Sequence, residues 1–390
     1  MKAAQSPPQA VSADRIFDGQ RWHDKAAVLV SGTRVAGIAP WGEIPAEWLQ
    51  TRVPPGAFLA PGFIDLQVNG GGGVLLNDWP TADGMRAIAR AHRRYGTTAC
   101  LPTLISDTRE QMRKAIAAAR TVGGQDGVLG LHVEGPFISP QRPGVHRPDR
   151  VRKPEAGDLE LLCDLAAAGR SMVTLAPECV PAGFVRTLTA KGIRVSIGHS
   201  EASAAVVMQA VADGASGITH LFNAMPPLSA RSPGIIGAAL ADDRLTAGLI
   251  VDGLHVDPVT VRAAFAAKGD RIALVTDAMP TVGASLTQFE LMGQVVKLAN
   301  GRLTTEAGTL AGAHLDMASA VRNTVRLCGL PLETALRAAS LAPARFLGLD
   351  NERGTLAAEA RADFIALTPE LHVAATWVNG SADEMASDSL

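Results

Sequence analysis

Cysteine is scarce in this chain: 390 residues hold four, Cys100, Cys163, Cys179 and Cys328, far apart and with no C-x-x-C pair. That pattern excludes a zinc ribbon or a redox dithiol and reads as reduced thiols in a cytosol. Long apolar runs are missing too. No stretch reaches the roughly 18 uninterrupted apolar residues of a membrane span, and the start, MKAAQSPPQAVSAD, lacks the apolar core of a secretion signal. The expectation is a soluble, unprocessed, cytoplasmic protein with a frayed start. Charge of one sign is also absent, with 36 Lys and Arg against 38 Asp and Glu. No global field therefore draws the chain to nucleic acid or to an anionic membrane, and neither is expected as a partner. An anionic ligand has to be caught locally. There is no repeat of solenoid period and no low-complexity segment.

What is present is an ordinary globular composition, 47% apolar and 19% charged, on a chain long enough for a barrel of ~250 residues plus an accessory domain. Apolar, β-rich runs recur, each followed by an Ala-rich stretch of helical period. They begin near Phe63, Thr98, Val128, Met172, Ile193, Gly217, Ala247 and Ile272. Eight near-continuous apolar strands separated by single helices describe a closed (β/α)8 TIM-like barrel better than an open doubly wound sheet. Both ends read as short alternating strands and turns, such as Phe17-Asp18-Gly19 and Trp377-Val378-Asn379-Gly380. The expected division is a small β-sandwich domain built from residues 1–57 and 349–390, with the barrel, 58–348, inserted between its halves.

In such a barrel the chemistry projects from the strand ends. Strand three ends in His132-Val133-Glu134, strand five in Gly198-His199-Ser200, strand six in Thr219-His220, and strand eight in Thr276-Asp277. A single histidine there is more often a hydrogen-bonded structural residue than a ligand, and a single Asp is more often a helix cap. Four ionisable groups at successive strand ends shift that balance toward a metal. Glu134, His199 and His220 form a three-ligand set that leaves a position open for water. An ion there would lower the pKa of its water toward ~7 and polarise a carbonyl. Asp277 could then take a proton from water and pass it to a leaving amine. His132 shares a strand face with Glu134 and reads equally as a ligand or as a supporting group. His23, His92, His314 and His372 are left as surface or structural residues.

These residues resemble the N-acetylglucosamine-6-phosphate deacetylase family of the amidohydrolase superfamily, over nearly the whole chain. The motifs that carry the resemblance are Pro61-Gly62-Phe63-Ile64-Asp65-Leu66-Gln67-Val68-Asn69-Gly70, His132-Val133-Glu134-Gly135-Pro136-Phe137, Gly198-His199-Ser200, Thr219-His220-Leu221-Phe222-Asn223-Ala224-Met225, Asp252-Gly253-Leu254-His255, Thr276-Asp277-Ala278 and Leu310-Ala311-Gly312. The resemblance implies that Glu134, His199 and His220 hold one divalent ion per subunit, zinc first, with iron, cobalt or manganese as the other ions. It implies Asp277 as general base and acid, with water activated by the metal as nucleophile, and His146 against the scissile acetamide. Gln67 is similar to a residue lining the metal pocket. Asn223, Ala224, Arg231 and His255 match positions that hold a sugar phosphate, some of them across a subunit interface, so a homodimer or a dimer-based tetramer is implied. Leu310, Ala311, Gly312 and Ala313 fall on a ligand-contacting segment, where Ala313 replaces an expected small hydroxyl residue. Strand one carries Gln67-Val68-Asn69 instead of His-x-His, and strand four has no lysine between Met172 and Cys179. Both departures argue against a two-metal site. The implied reaction converts N-acetyl-D-glucosamine 6-phosphate to D-glucosamine 6-phosphate and acetate; the alternative is the same metal site acting on another N-acyl sugar or an N-acyl amino acid. Residues 281–309 form a candidate lid.

Overall fold

The computed structural model describes residues 7–383; part of the start expected to be frayed lies outside them. Eight parallel strands follow in the order Phe63–Val68, Thr97–Ile105, His132–Glu134, Met172–Leu175, Arg194–Ile197, Gly217–Ile218, Thr246–Leu249 and Ile272–Leu274. Almost every residue in them is buried, as expected for parallel strands covered on both faces. The third begins later than its apolar run. Residues from Val128 are buried beside strand two and bond it through Cys100 (Cys100 N–H to Gly127 O, 2.8 Å; Leu129 N–H to Cys100 O, 2.9 Å), and the regular ladder starts only at His132.

Strands one and eight close the ring. Asp277 N–H donates to Gln67 O (3.0 Å) and Gly70 N–H to Ala278 O (2.9 Å). Beneath them the Thr276 hydroxyl donates to Asp65 Oδ2 at 2.5 Å. Asp65 has no exposed surface, and burial pushes its carboxyl up to about 7 against the three hydrogen bonds it accepts from Thr276 and Gln67.

Helices follow the strands with recognisable starts. Thr108 caps Arg109–Val122 by accepting from Gln111 N–H. Ser203 caps Ala204–Ala212 through Val206 N–H. Asp257 caps Pro258–Lys268, with proline in the first turn where its missing N–H costs nothing. After strand eight the chain makes a three-stranded antiparallel sheet, Gln288–Leu291, Gln294–Ala299 and Arg302–Thr305. The segment expected as a lid is thus a folded sheet, with Leu291, Val296 and Leu303 buried on one face.

By contacts the chain divides into two compact units, one comprising residues up to Ile64, 93–98 and those from Met317 onward, the other Asp65–His92 and Ala99–Asp316. The first contains a single sheet that joins both ends of the chain. Gln9–Phe17 pairs antiparallel with Trp22–Ser31 and parallel with Phe58–Pro61, and Phe58–Pro61 pairs antiparallel with Phe364–Leu367. Val11, Val28, Leu59, Phe364 and Trp377 make its core. The same unit holds the helices Met317–Arg326, Leu332–Ala339 and Leu341–Leu347. The second contains every residue of the site below.

Asp158 joins the 152–155 segment to the start of the Arg109–Val122 helix. It has no exposed surface, and accepts from Arg109 Nε at 2.8 Å, from Arg152 Nη1 at 2.5 Å and from Glu155 N–H at 2.7 Å. Burial alone would raise its pKa, but the two guanidinium groups outweigh it and hold the carboxyl well below the usual range. Because the folded pKa lies below the unfolded value of ~3.9, the stability it contributes is complete above about pH 4 and is lost as pH falls further. Asp158→Asn should cost about 2 kcal/mol at neutral pH, less than a fully buried pair because Arg152 and Arg109 keep 25% and 33% of their side-chain surface exposed. Urea denaturation at pH 7 and pH 3 should show the difference between variant and parent shrinking at the lower pH.

Candidate active site

Strand ends converge on one cavity of 390 Å³ whose lining includes Asn69, Glu134, His146, His199, His220 and Asp277. At its floor Glu134 Oε1 lies 3.1 Å from His220 Nε2 and 3.3 Å from His199 Nε2, and the two Nε2 atoms are 3.0 Å apart. Donor atoms about 2.0–2.2 Å from one tetrahedral ion lie roughly 3.3–3.6 Å from each other. One carboxylate and two imidazoles in so tight a triangle suit a divalent cation. The His199 ring is oriented to take part, because its Nδ1–H donates to Arg142 O at 2.8 Å, which leaves Nε2 with its lone pair toward the triangle. Burial works against ionised Glu134, yet hydrogen bonds and charge from His199 and His220 hold it well below the usual carboxylate range. The same pairing raises His220 against the opposing effect of burial.

Three of these side chains reach the cavity on unusual backbone. His199 (φ 48°), His220 (φ 30°) and Asp277 (φ 51°) all occupy the left-handed region, as does Ala224 (φ 52°). Non-glycine residues rarely adopt it, and it recurs at functional sites. Here it turns the second residue beyond strands five and six, and the third beyond strand eight, into the mouth. Gly144 (φ 57°) shows the converse need, since a Cβ there would lie 3.2 Å from the His199 ring.

His146 also lies near the cluster, with a ring nitrogen within 4.8 Å of donor atoms of Glu134 and His199. Its tautomer argues for another role. Ser106 N–H donates to Nδ1 at 3.3 Å and Ser106 Oγ lies 2.7 Å from the same atom, so Nδ1 carries the lone pair and Nε2 the proton. Burial, then the charges of His199, push its pKa down to about 3. A neutral imidazole presenting N–H is a hydrogen-bond donor, not a metal ligand. His132 is closed off on both sides, Nδ1 3.2 Å from Thr103 Oγ1 and Nε2 2.7 Å from Thr174 Oγ1. It supports the strand, neutral because burial lowers its pKa to about 4. Beyond it Thr174, Thr219 and Ser196 link hydroxyl to hydroxyl at 2.6 and 2.7 Å.

Gln67 lies at the ligand cluster, between the two acids. Its Nε2 donates to Glu134 Oε1 and Oε2 (3.2 and 3.1 Å) and to Asp277 Oδ1 (3.0 Å). Asn69, one period along the strand, donates to the same Asp277 oxygen at 2.6 Å. Two amides thus anchor Oδ1, and Oδ2 has no protein partner among the described residues. Burial, then the charge of Glu134, push the Asp277 carboxyl up to about 6.

Asn223, Ala224 and His255 line another part of the cavity. His255 Nδ1 lies 2.6 Å from Asp252 Oδ2, while Asp252 Oδ1 accepts the main-chain N–H groups of Leu254 and His255. Burial opposes ionisation of Asp252, and the bond from His255 outweighs it, holding this carboxyl low. Leu310 and Gly312 line the wall. Ala311 and Ala313 are buried behind it, Ala313 bonding the Asp277 main chain (N–H to O, 2.9 Å), so the missing hydroxyl at 313 removes no link to strand eight. Arg231 is exposed on the 229–233 loop and is not among the lining residues. His23, His92 and His314 bond Asp18, Gly70 O and Thr281 and take no part. Asn69 and Asp252 stood in the resembling motifs with no role assigned to them, and Ser106 and the Arg142 carbonyl were not singled out by sequence. The available signals were the period-two relation of Asn69 to Gln67 and the place of Asp252 three residues before His255 in one motif.

The Amidohydrolase family model matches residues 58–382. The chain belongs to the amidohydrolase family. Among its relatives are an N-acetylgalactosamine-6-phosphate deacetylase of Shewanella sp. strain ANA-3, 39% identical over 92% of this chain and 91% of that one, and the human N-acetylglucosamine-6-phosphate deacetylase, 42% identical over 83% of each. A solved structure of N-acetylglucosamine-6-phosphate deacetylase from Pasteurella multocida, 35% identical, superposes with a TM-score of 0.93 over 96% of this chain and 99% of that one. As an amidohydrolase with a Glu-His-His triangle, the chain should lose metal when a donor is removed. Outer partners of metal ligands already cost roughly 10–100-fold in affinity, so His199→Ala should cost at least 100-fold, read as metal retained after dialysis against a graded chelator. Retention equal to the parent would exclude this cluster as the metal site.

Proposed function

We propose that this amidohydrolase removes the acetyl group from an N-acetylhexosamine 6-phosphate, with N-acetyl-D-glucosamine 6-phosphate giving D-glucosamine 6-phosphate and acetate. The observation that carries the reading is the Glu134–His199–His220 triangle with Asp277 held beside it by Gln67. We infer one divalent ion per subunit, zinc first by donor set, with iron, cobalt and manganese as alternatives chosen by availability. When bound, such an ion supplies Lewis acidity toward a carbonyl and a lowered pKa for water.

The chain's own residues do the rest. His146 Nε2–H is the donor for the acetamide oxygen, a bond that strengthens as that oxygen gains charge. Asp277 Oδ2 takes the proton of the attacking water while Oδ1 stays fixed by Gln67 and Asn69. The protonated carboxyl then gives the proton to the amine nitrogen as the C–N bond breaks, so one group serves as base and acid in turn. Its raised pKa suits both halves of that duty. Asn223, Ala224 and His255 are assigned to the sugar phosphate, His255 oriented by Asp252. Arg231 offers a planar fork suited to phosphate, and its exposed loop supports the reading that it serves the cavity of a second subunit in a homodimer.

The relatives favour a second reading in one respect. Both glucosamine and galactosamine deacetylases stand among them, which differ in the configuration of one hydroxyl. Acetate release should be measured on the two phosphorylated epimers beside unphosphorylated N-acetylglucosamine. Release from a phosphorylated sugar only, with about one metal per chain, supports the proposal, and the preferred epimer names the substrate. No release from any of them would send the reading to other N-acyl substrates. Asp277→Asn should keep the metal and lose turnover by roughly 10²–10⁴-fold; near-parental turnover would remove Asp277 from the mechanism.

A further inference from the structure

Of the apolar residues that line the cavity, Ile105 and Met279 are the two that are buried in the cluster behind its wall; Val145, Ile250 and Leu310 also line it. Ile105 pairs with Glu134 in the barrel ladder and precedes Ser106, the residue that sets the His146 tautomer. Met279 lies two residues beyond Asp277. Both line the cavity, at 3% and 1% exposure, and both belong to one buried cluster with Leu291, Val296 and Leu303 of the three-stranded sheet. The polar lining suited to a sugar, Asn223 and His255, comes instead from the ends of strands six and seven.

We propose that Ile105 and Met279 form the stop that limits the length of the acyl chain. The inference rests on the N-acyl reading above and deepens it. A carbonyl held between the triangle, His146 and Asp277 has two substituents: the sugar nitrogen and the acyl carbon. The acyl carbon is the apolar end of the substrate, and the part of the apolar lining anchored to Glu134 by the ladder and to Asp277 by two residues of chain is this one. The wall is also stiff. A Cβ on Gly312 (φ 62°) would lie 2.6 Å from Met279 Cε and 2.7 Å from its Cγ, so the thioether packs directly on bare backbone. The three-stranded sheet closes the cluster with Leu291, Val296 and Leu303, and Met279 N–H is tied to Ala313 O at 3.1 Å. Methionine normally adapts to its surroundings, but here the adaptable side chain has little room to retreat.

An apolar site discriminates one methylene by roughly 10–200-fold. The holoenzyme should therefore lose at least 10-fold in kcat/KM on passing from the N-acetyl to the N-propionyl substrate, and more for N-butyryl. Met279→Ala should raise the ratio of N-butyryl to N-acetyl kcat/KM by at least 10-fold. Ile105→Val, which removes one methylene and leaves the cluster otherwise intact, should raise the N-propionyl ratio a few-fold and serves if the alanine variant does not fold. Metal content measured on each sample separates a lost site from a changed wall. Ratios unchanged within two-fold in both variants, with all substrates slowed alike, would overturn the inference while leaving the deacetylase reading in place. No acyl release by the parent from any chain length would overturn both.

Discussion

Two buried acids share one amide in this molecule, and the site's chemistry depends on that sharing. Glu134 and Asp277 would repel each other across the buried cavity floor if both were ionised and nothing lay between them. The Gln67 amide bonds both, and of the two acids the imidazoles of His199 and His220 bond Glu134 alone, while His220 acts on Asp277 only through its charge. The result is a division of labour. Glu134 is held as a carboxylate, the form that can ligate, while Asp277 is pushed toward neutrality, where it can accept and release a proton. Gln67 can stand there because strands one and eight, more than 200 residues apart, are hydrogen-bonded at the seam that closes the barrel.

The barrel was legible because burial on both faces leaves a coarse mark, an apolar run at each strand, and parallel strands need helices between them. The four principal site residues were legible because each ends such a run. The supporting groups were not, for physical reasons. The Arg142 carbonyl that orients His199 is main chain and has no signature in residue type. Ser106 and Asp252 act through contacts with His146 and His255 that only folding, or a tight local turn, creates. His132 could be read two ways until its hydroxyl neighbours were known, and they occupy both of its nitrogens. The left-handed backbone at His199, His220 and Asp277 was invisible as well, because neither residue type announces it as glycine would.

Arg231 stands apart from the other groups assigned to the phosphate. Its resemblance to a phosphate-binding position was clear in the sequence, yet it stands on an exposed loop apart from the cavity lining. Residue type reports what a side chain can bind but carries no record of where folding places it. The choice between epimers turns on a similarly distant feature. Deacetylases named for glucosamine and for galactosamine phosphates both stand among the relatives, and the epimers differ at a hydroxyl remote from the amide.

The left-handed turns at the mouth have a consequence for how this protein can change. Each non-glycine residue in that conformation costs on the order of 1–2 kcal/mol, so three of the four principal groups are held against the preference of their own backbone. Glycine would relax those positions and abolish the chemistry in the same step. Variants chosen for heat resistance alone would therefore tend to drift toward a quiet, well-folded barrel, and stabilising this enzyme without silencing it means leaving His199, His220 and Asp277 strained and finding the gain elsewhere.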